Sequence, residues 1–178
     1  MENTYRSMLL AGAVLLAIAS CGNDPRMTYP NIYRNAGISF SYPDGWKVIR
    51  DETNTVRFIA VRSPATALFT VLLIPEEKAP TLEAFASQYD RLSGGSAAPA
   101  VGNSVFGSIE RSAEYMHLVE HFTRMYQEKP VPYTRVYWRG YSGNAVLFIT
   151  AESSEGEAPS ASGKFDTILA SLRYAGRR

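Results

Sequence analysis

The chain has 178 residues, 46% of them hydrophobic and 20% charged, which is enough apolar material for one globular domain with its own core and requires no second one. Its 18 basic and 17 acidic side chains leave a net charge of +1, which argues against broad electrostatic capture of nucleic acid or of anionic lipid. Cys21 is the single cysteine, so no internal disulfide can form.

Residues 1–20 lie outside the expected fold. Arg6 supplies a positive n-region, and Met8 to Ala19 is an apolar run too short for a comfortable membrane-spanning helix, so a secretory signal is expected, with an uncleaved anchor helix as the alternative. The run closes in Ile18-Ala19-Ser20-Cys21, which resembles a bacterial lipobox. For that class the resemblance implies removal of residues 1–20, diacylation of Cys21 with palmitate-like chains, and a lipid-anchored protein of the bacterial cell envelope. Gly22 follows the cysteine in place of aspartate, and by resemblance to enterobacterial sorting patterns this implies the periplasmic face of the outer membrane in a Gram-negative host. Residues 21–36 have no apolar period and are expected to form the lipidated terminus and a tether.

The domain is expected over 37–178. Gly37 to Tyr42 alternates as a half-buried strand, Pro43-Asp44-Gly45 is a turn, and Trp46 and Val48 start a second strand. The Gly37-to-Trp46 opening, with its Phe-x-Tyr-Pro-x-Gly-Trp string, resembles the first hairpin of PsbP and DcrB-like domains. Val56 to Val61 and Ala67 to Ile74 continue the strands, the second apolar on both faces and so a candidate central strand. Thr81 sits at an N-cap position before a helical stripe of Leu82, Phe85, Ala86, Tyr89 and Leu92, which stops at Gly94-Gly95. Strands followed by this helix also resemble the PsbP/DcrB order, as does a closing helix with Phe165, Ile168, Leu169 and Leu172 on one face.

Between Ser93 and Pro132 that resemblance lapses. Val105 to Ile109 suits a strand, whereas Tyr115, Leu118, Val119, Phe122, Met125 and Tyr126 recur at helical spacing, so periodicity predicts a helix over 112–127 where the family pattern places a strand. The segment contains His117-Leu118-Val119-Glu120-His121. On a helix His117 and His121 would share a face and could ligate one zinc, with Glu120 as general base, and the string resembles the inverzincin metallopeptidase signature. Those enzymes need a third ligand, for which Glu152, Glu155 and Glu157 are the nearest substitutes; the alternative is a solvated polar face. Gly140 to Asn144 approaches a nucleophile elbow but lacks its second glycine and any following helix, and no phosphate-cradling motif calls for a cofactor.

Tyr133 to Glu152 is the organising stretch. Ser142-Gly143-Asn144 joins two strand-forming runs into a hairpin whose second arm is apolar on both faces. The first arm puts Thr134, Val136 and Trp138 on one side and Tyr133, Arg135, Tyr137, Arg139 and Tyr141 on the other. Open to solvent, that Tyr/Arg row would suit an anionic or aromatic partner; covered, it would be a self-satisfied cross-strand ladder. The expected architecture is α+β, an antiparallel sheet of about six strands with packed helices, similar to the PsbP/DcrB α/β sandwich. That resemblance implies a non-enzymatic binding or assembly factor with an envelope protein partner; the alternative is a small zinc hydrolase built on the H-x-x-E-H string.

Overall fold

The computed structural model describes residues 29–53, 56–94, 101–112 and 115–175. The segment 1–20, expected to be a signal, and Cys21 lie outside these residues. In chain order the elements are β1 (Asn31–Asn35), β2 (Ile38–Tyr42), β3 (Lys47–Thr53), β4 (Arg57–Arg62), β5 (Leu68–Pro75), α1 (Leu82–Gly94), β6 (Val101–Phe106) and β7 (Glu110–Arg111). There follow β8 (Met116–Tyr126), β9 (Lys129–Ser142), β10 (Ala145–Ser154), α2 (Ala158–Ser171) and β11 (Arg173–Tyr174).

These strands make two antiparallel sheets. The larger has eight strands in the order β3-β4-β5-β10-β9-β8-β6, with β7 also paired to β8, and the smaller has three in the order β1-β2-β11. The expected α+β class and antiparallel pairing hold, but the strands outnumber the six anticipated. Part of the excess is β1, which corrects the tether: residues 31–35 pair with β2, and Tyr33 is buried with its ring stacked on Phe40 at 4.9 Å. The β1–β2 turn needs left-handed backbone at Ala36 (φ 47°) and Gly37 (φ 82°). A Cβ on Gly37 would lie 2.6 Å from the Ala175 carbonyl oxygen, so glycine alone lets β11 close on this turn.

β5 and β10 pair at the centre of the large sheet, in agreement with their two-sided apolar sequences. On one face Ile59, Phe69, Val71, Leu147 and Ile149 pack with Phe40 of the small sheet and with Phe165 and Ile168 of α2. Ser171 fastens α2 to the small sheet by accepting the Ser41 backbone N–H at 3.0 Å. On the other face α1 begins where the Thr81 hydroxyl accepts the Ala84 N–H at 3.2 Å, and it lays Leu82, Phe85, Ala86 and Tyr89 over Leu72, Val146 and Phe148. Phe85 stacks on Phe148 at 4.1 Å, and sealing a ring of this size contributes about 1.5–3 kcal/mol.

The helix expected over 112–127 is overturned. Residues 116–126 are strand β8, antiparallel to β9 from Met116 opposite Arg139 to Tyr126 opposite Lys129. Leu118, Glu120 and Phe122 form its inward row, each 3% exposed. A carboxylate in the middle of an apolar row broke the two-residue alternation and left helical spacing as the stronger signal.

Candidate functional site

β9 carries the row that the sequence singles out, and the hairpin with β10 fixes it. Gly143 (φ 62°) and Asn144 make a two-residue turn, so Arg135 lies opposite Glu152 and Tyr133 opposite Ser154, all on the α1 side. The row is not one open face. Arg135 and Tyr137 are 0% exposed, so in its middle the row is the covered cross-strand ladder and not an open binding face.

Burial of Arg135 is made tolerable by two carboxylates. Its Nε donates to Glu152 Oε2 at 2.7 Å, Nη2 lies 2.6 Å from the same oxygen, and Nη1 donates to Glu120 Oε2 at 3.0 Å and to the Tyr137 hydroxyl at 2.8 Å. Tyr137 in turn donates to Glu120 Oε2 at 2.6 Å. Burial, opposed by Arg135 but reinforced by the Glu120 carboxylate, pushes the Tyr137 phenol well above its ordinary range, so it stays a donor. Ser104 donates to the second oxygen of Glu120, and Arg124 forks onto Glu152 from the other side. The rings of Tyr89 and Phe122 lie 4.6 and 4.5 Å from the Arg135 guanidinium carbon. Two guanidinium groups thus balance two carboxylates in a space where an unpaired ion would cost several kcal/mol.

The same strand geometry dismantles the zinc site expected on a helix. His117 and His121 share the face of β8 opposite α1, about 13 Å apart at four strand rises, too far to ligate one ion through bonds of about 2 Å. Glu120, the expected base, points to the other face and is held by Arg135. His117 Nε2 lies 3.3 Å from Glu110, and His121 Nδ1 lies 3.1 Å from the Thr134 hydroxyl. Among the described residues no group of three or more His, Cys, Asp or Glu side chains gathers to hold a metal ion.

The ends of the β9 row differ from its middle. Tyr141 is 63% exposed, with Arg139 over its ring at 4.7 Å and donating to its hydroxyl at 2.6 Å. At the other end Tyr133 borders a cleft of about 450 Å³ on the α1 side of the sheet. Leu68, Val131 and Tyr133 give it apolar walls, Glu152 and Arg124 lie in its floor, and Arg62, Ala65, Thr66 and Tyr126 complete the lining. Arg124 is held over the rings of Phe122 and Tyr133, 5.2 Å from each. Glu157 pins the wall, accepting from Ser63 Oγ at 2.7 Å and from both the N–H and the hydroxyl of Thr66 at 2.6 Å. Burial pushes the Glu157 carboxyl up, but these hydrogen bonds outweigh it and leave its pKa below the ordinary 4.5. A second, more apolar cleft of about 560 Å³ lies between α1 and the segment Phe106 to Ile109.

Sequence reasoning missed Arg62, Thr66, Arg124 and Tyr126. With 116–126 taken as a strand, the two-residue phase that puts Leu118, Glu120 and Phe122 inward also brings Arg124 and Tyr126 to this face, which was the available signal.

No protein-family model matches the sequence, and no curated protein matches it as a relative. Solved structures do match in shape. The cyanobacterial PsbP, CyanoP, of Synechocystis sp. PCC 6803 is similar at TM-score 0.53 and 14% identity, over 89% of this chain and 99% of that one. LpqN, involved in cell envelope biogenesis of Mycobacterium tuberculosis, has TM-score 0.41 and 12% identity over 78% of this chain and 83% of its own. The Ran-binding protein Mog1p of Saccharomyces cerevisiae has TM-score 0.41 and 10% identity over 78% of this chain and 90% of its own. With two packed sheets, a helix on each side of the larger one, and a CyanoP match spanning almost the whole of that chain, this protein has a PsbP-like fold.

Proposed function

We propose that this chain is a membrane-anchored envelope lipoprotein whose PsbP-like domain acts as a non-enzymatic binding or assembly factor. The observation that carries the binding role is the pairing of a sealed polar network with an open cleft. Glu120, Arg135, Tyr137 and Glu152 are hydrogen-bonded to one another and to Ser104 and Arg124, while the cleft beside them presents arginine and tyrosine to solvent, with no catalytic constellation among its described residues. Such a surface is suited to contact.

Anchoring rests on Ile18-Ala19-Ser20-Cys21. No helix among the described residues is long and apolar enough to cross a membrane, so in this reading attachment comes from acyl chains on Cys21, at about 0.8 kcal/mol per buried methylene. Because strand pairing begins at Asn31, the tether is shorter than its sequence promised: ten residues reach at most about 35 Å. The domain then works close to the bilayer, and its protein partner is an envelope component within that reach. Radiolabelled palmitate should label the wild type and not Cys21→Ala; equal labelling of the two would remove the anchor.

A further inference from the structure

We infer that the cleft beside the β8–β9 turn docks a partner polypeptide segment that carries a carboxylate next to an aromatic or branched apolar side chain. This deepens the binding-factor reading and rests on it. The charge pattern selects the ligand. In the floor, Arg124 and Arg135 are balanced by Glu120 and Glu152, and Glu157 does not line the cleft, its carboxylate being taken up by Ser63 and Thr66. Arg62, exposed at the rim, makes no ion pair among the described residues and is the surplus positive charge of the lining. A carboxylate entering the cleft meets that guanidinium, which can receive it through forked N–H donors.

The remaining walls select the neighbouring group. Leu68, Val131 and the Tyr133 ring take a flat or branched apolar side chain, and Tyr126, 65% exposed at the start of the turn, extends the contact past the cleft itself. That turn takes left-handed backbone at Gln127 (φ 48°) and Glu128 (φ 63°), the geometry that a two-residue hairpin between Tyr126 and Lys129 requires. The cleft has an open side, and a lone acyl chain would bring nothing there to pair with the Arg62 guanidinium. A polypeptide brings its own polar backbone to that open side, so the geometry favours a peptide over a lipid.

Fluorescence anisotropy on the mature chain tests this with labelled hexapeptides that permute aspartate, glutamate, phenylalanine, leucine and glycine, alongside phosphatidylglycerol vesicles. Saturable binding is expected for peptides that join an acidic to an aromatic residue. It should weaken about tenfold when the acid is replaced by its amide, in Arg62→Glu, and at high salt, while the Arg62→Glu melting temperature stays unchanged. No saturable peptide binding, equal affinity for acid and amide, or an unchanged Arg62→Glu would each overturn the proposal, as would binding confined to the vesicles. If it fails while palmitate still labels Cys21 and cellular crosslinks persist, the anchored binding factor stands and this cleft is not its site. Peptide binding together with equal palmitate labelling of wild type and Cys21→Ala would keep the site and remove the anchor.

Discussion

Arg135 and Arg62 lie on the same face of the eight-stranded sheet, yet one is 0% exposed against Tyr89 of α1 and the other stands at the rim of the cleft. The difference is set by what stands across the strands. Arg135 falls in register with Glu120 on β8 and Glu152 on β10, so two carboxylates meet it from either side and Tyr89 of α1 can cover the guanidinium. Arg62 is the last residue of β4, opposite Leu68, with no carboxylate in register. The same side-chain chemistry therefore holds the domain together in one place and is left available for contact in the other, and cross-strand partners separate the two cases.

Removing the sealed arginine should break this contrast most strongly. Arg135→Ala leaves Glu120 and Glu152 buried with most of their compensation gone, and a loss of about 3–5 kcal/mol is expected in urea unfolding. A loss below about 1 kcal/mol, the size usual for surface pairs, would place Arg135 with the open group. Glu157 sharpens the comparison at the cleft wall. Its folded pKa lies below the ordinary 4.5, so its stabilising contribution is complete above about pH 4.5 and disappears as the pH falls through the folded value, where the unfolded chain already binds the proton. Glu157→Gln should be less stable at pH 7 and show a shallower loss on the acid side. Asp51, also held low because hydrogen bonds from Asn35, Arg57 and Tyr33 outweigh its burial, keeps a slope of its own in both proteins. Identical acid slopes for wild type and Glu157→Gln would refute the assignment. The smallest effect belongs to Arg62→Ala, whose stability should stay within about 0.5 kcal/mol of wild type by thermal melting.

Where local chemistry and burial agreed, the sequence could be read directly. The β9–β10 hairpin follows from Gly143 and the two-sided apolar arm, and α1 from Thr81 and its stripe, because each needs only local pattern and a core to face. β8 was illegible for the reason that makes the network interesting: Glu120 sits in an apolar row, so a rule that places charge outward misplaces the strand. Arg135 misled in the same way, since alternation assigned it to the correct face without saying that the face was closed. β1 was hidden by its brevity, five residues of which only Tyr33 is buried. Beyond the phase of β8, which places Arg124 and Tyr126, the cleft could not be read, because its lining comes from β4, β5, β8, β9 and β10 and depends on a register that no single segment encodes.

The claim that this fold works by contact beside a membrane is tested most directly by a photo-crosslinking residue at Lys129, exposed beside Tyr126 at the cleft's turn, in intact cells of the native host. The expected result is a light-dependent adduct to one envelope protein that disappears in Arg62→Glu and falls sharply in Cys21→Ala. An adduct of equal yield in all three backgrounds, or none in any, would contradict the account.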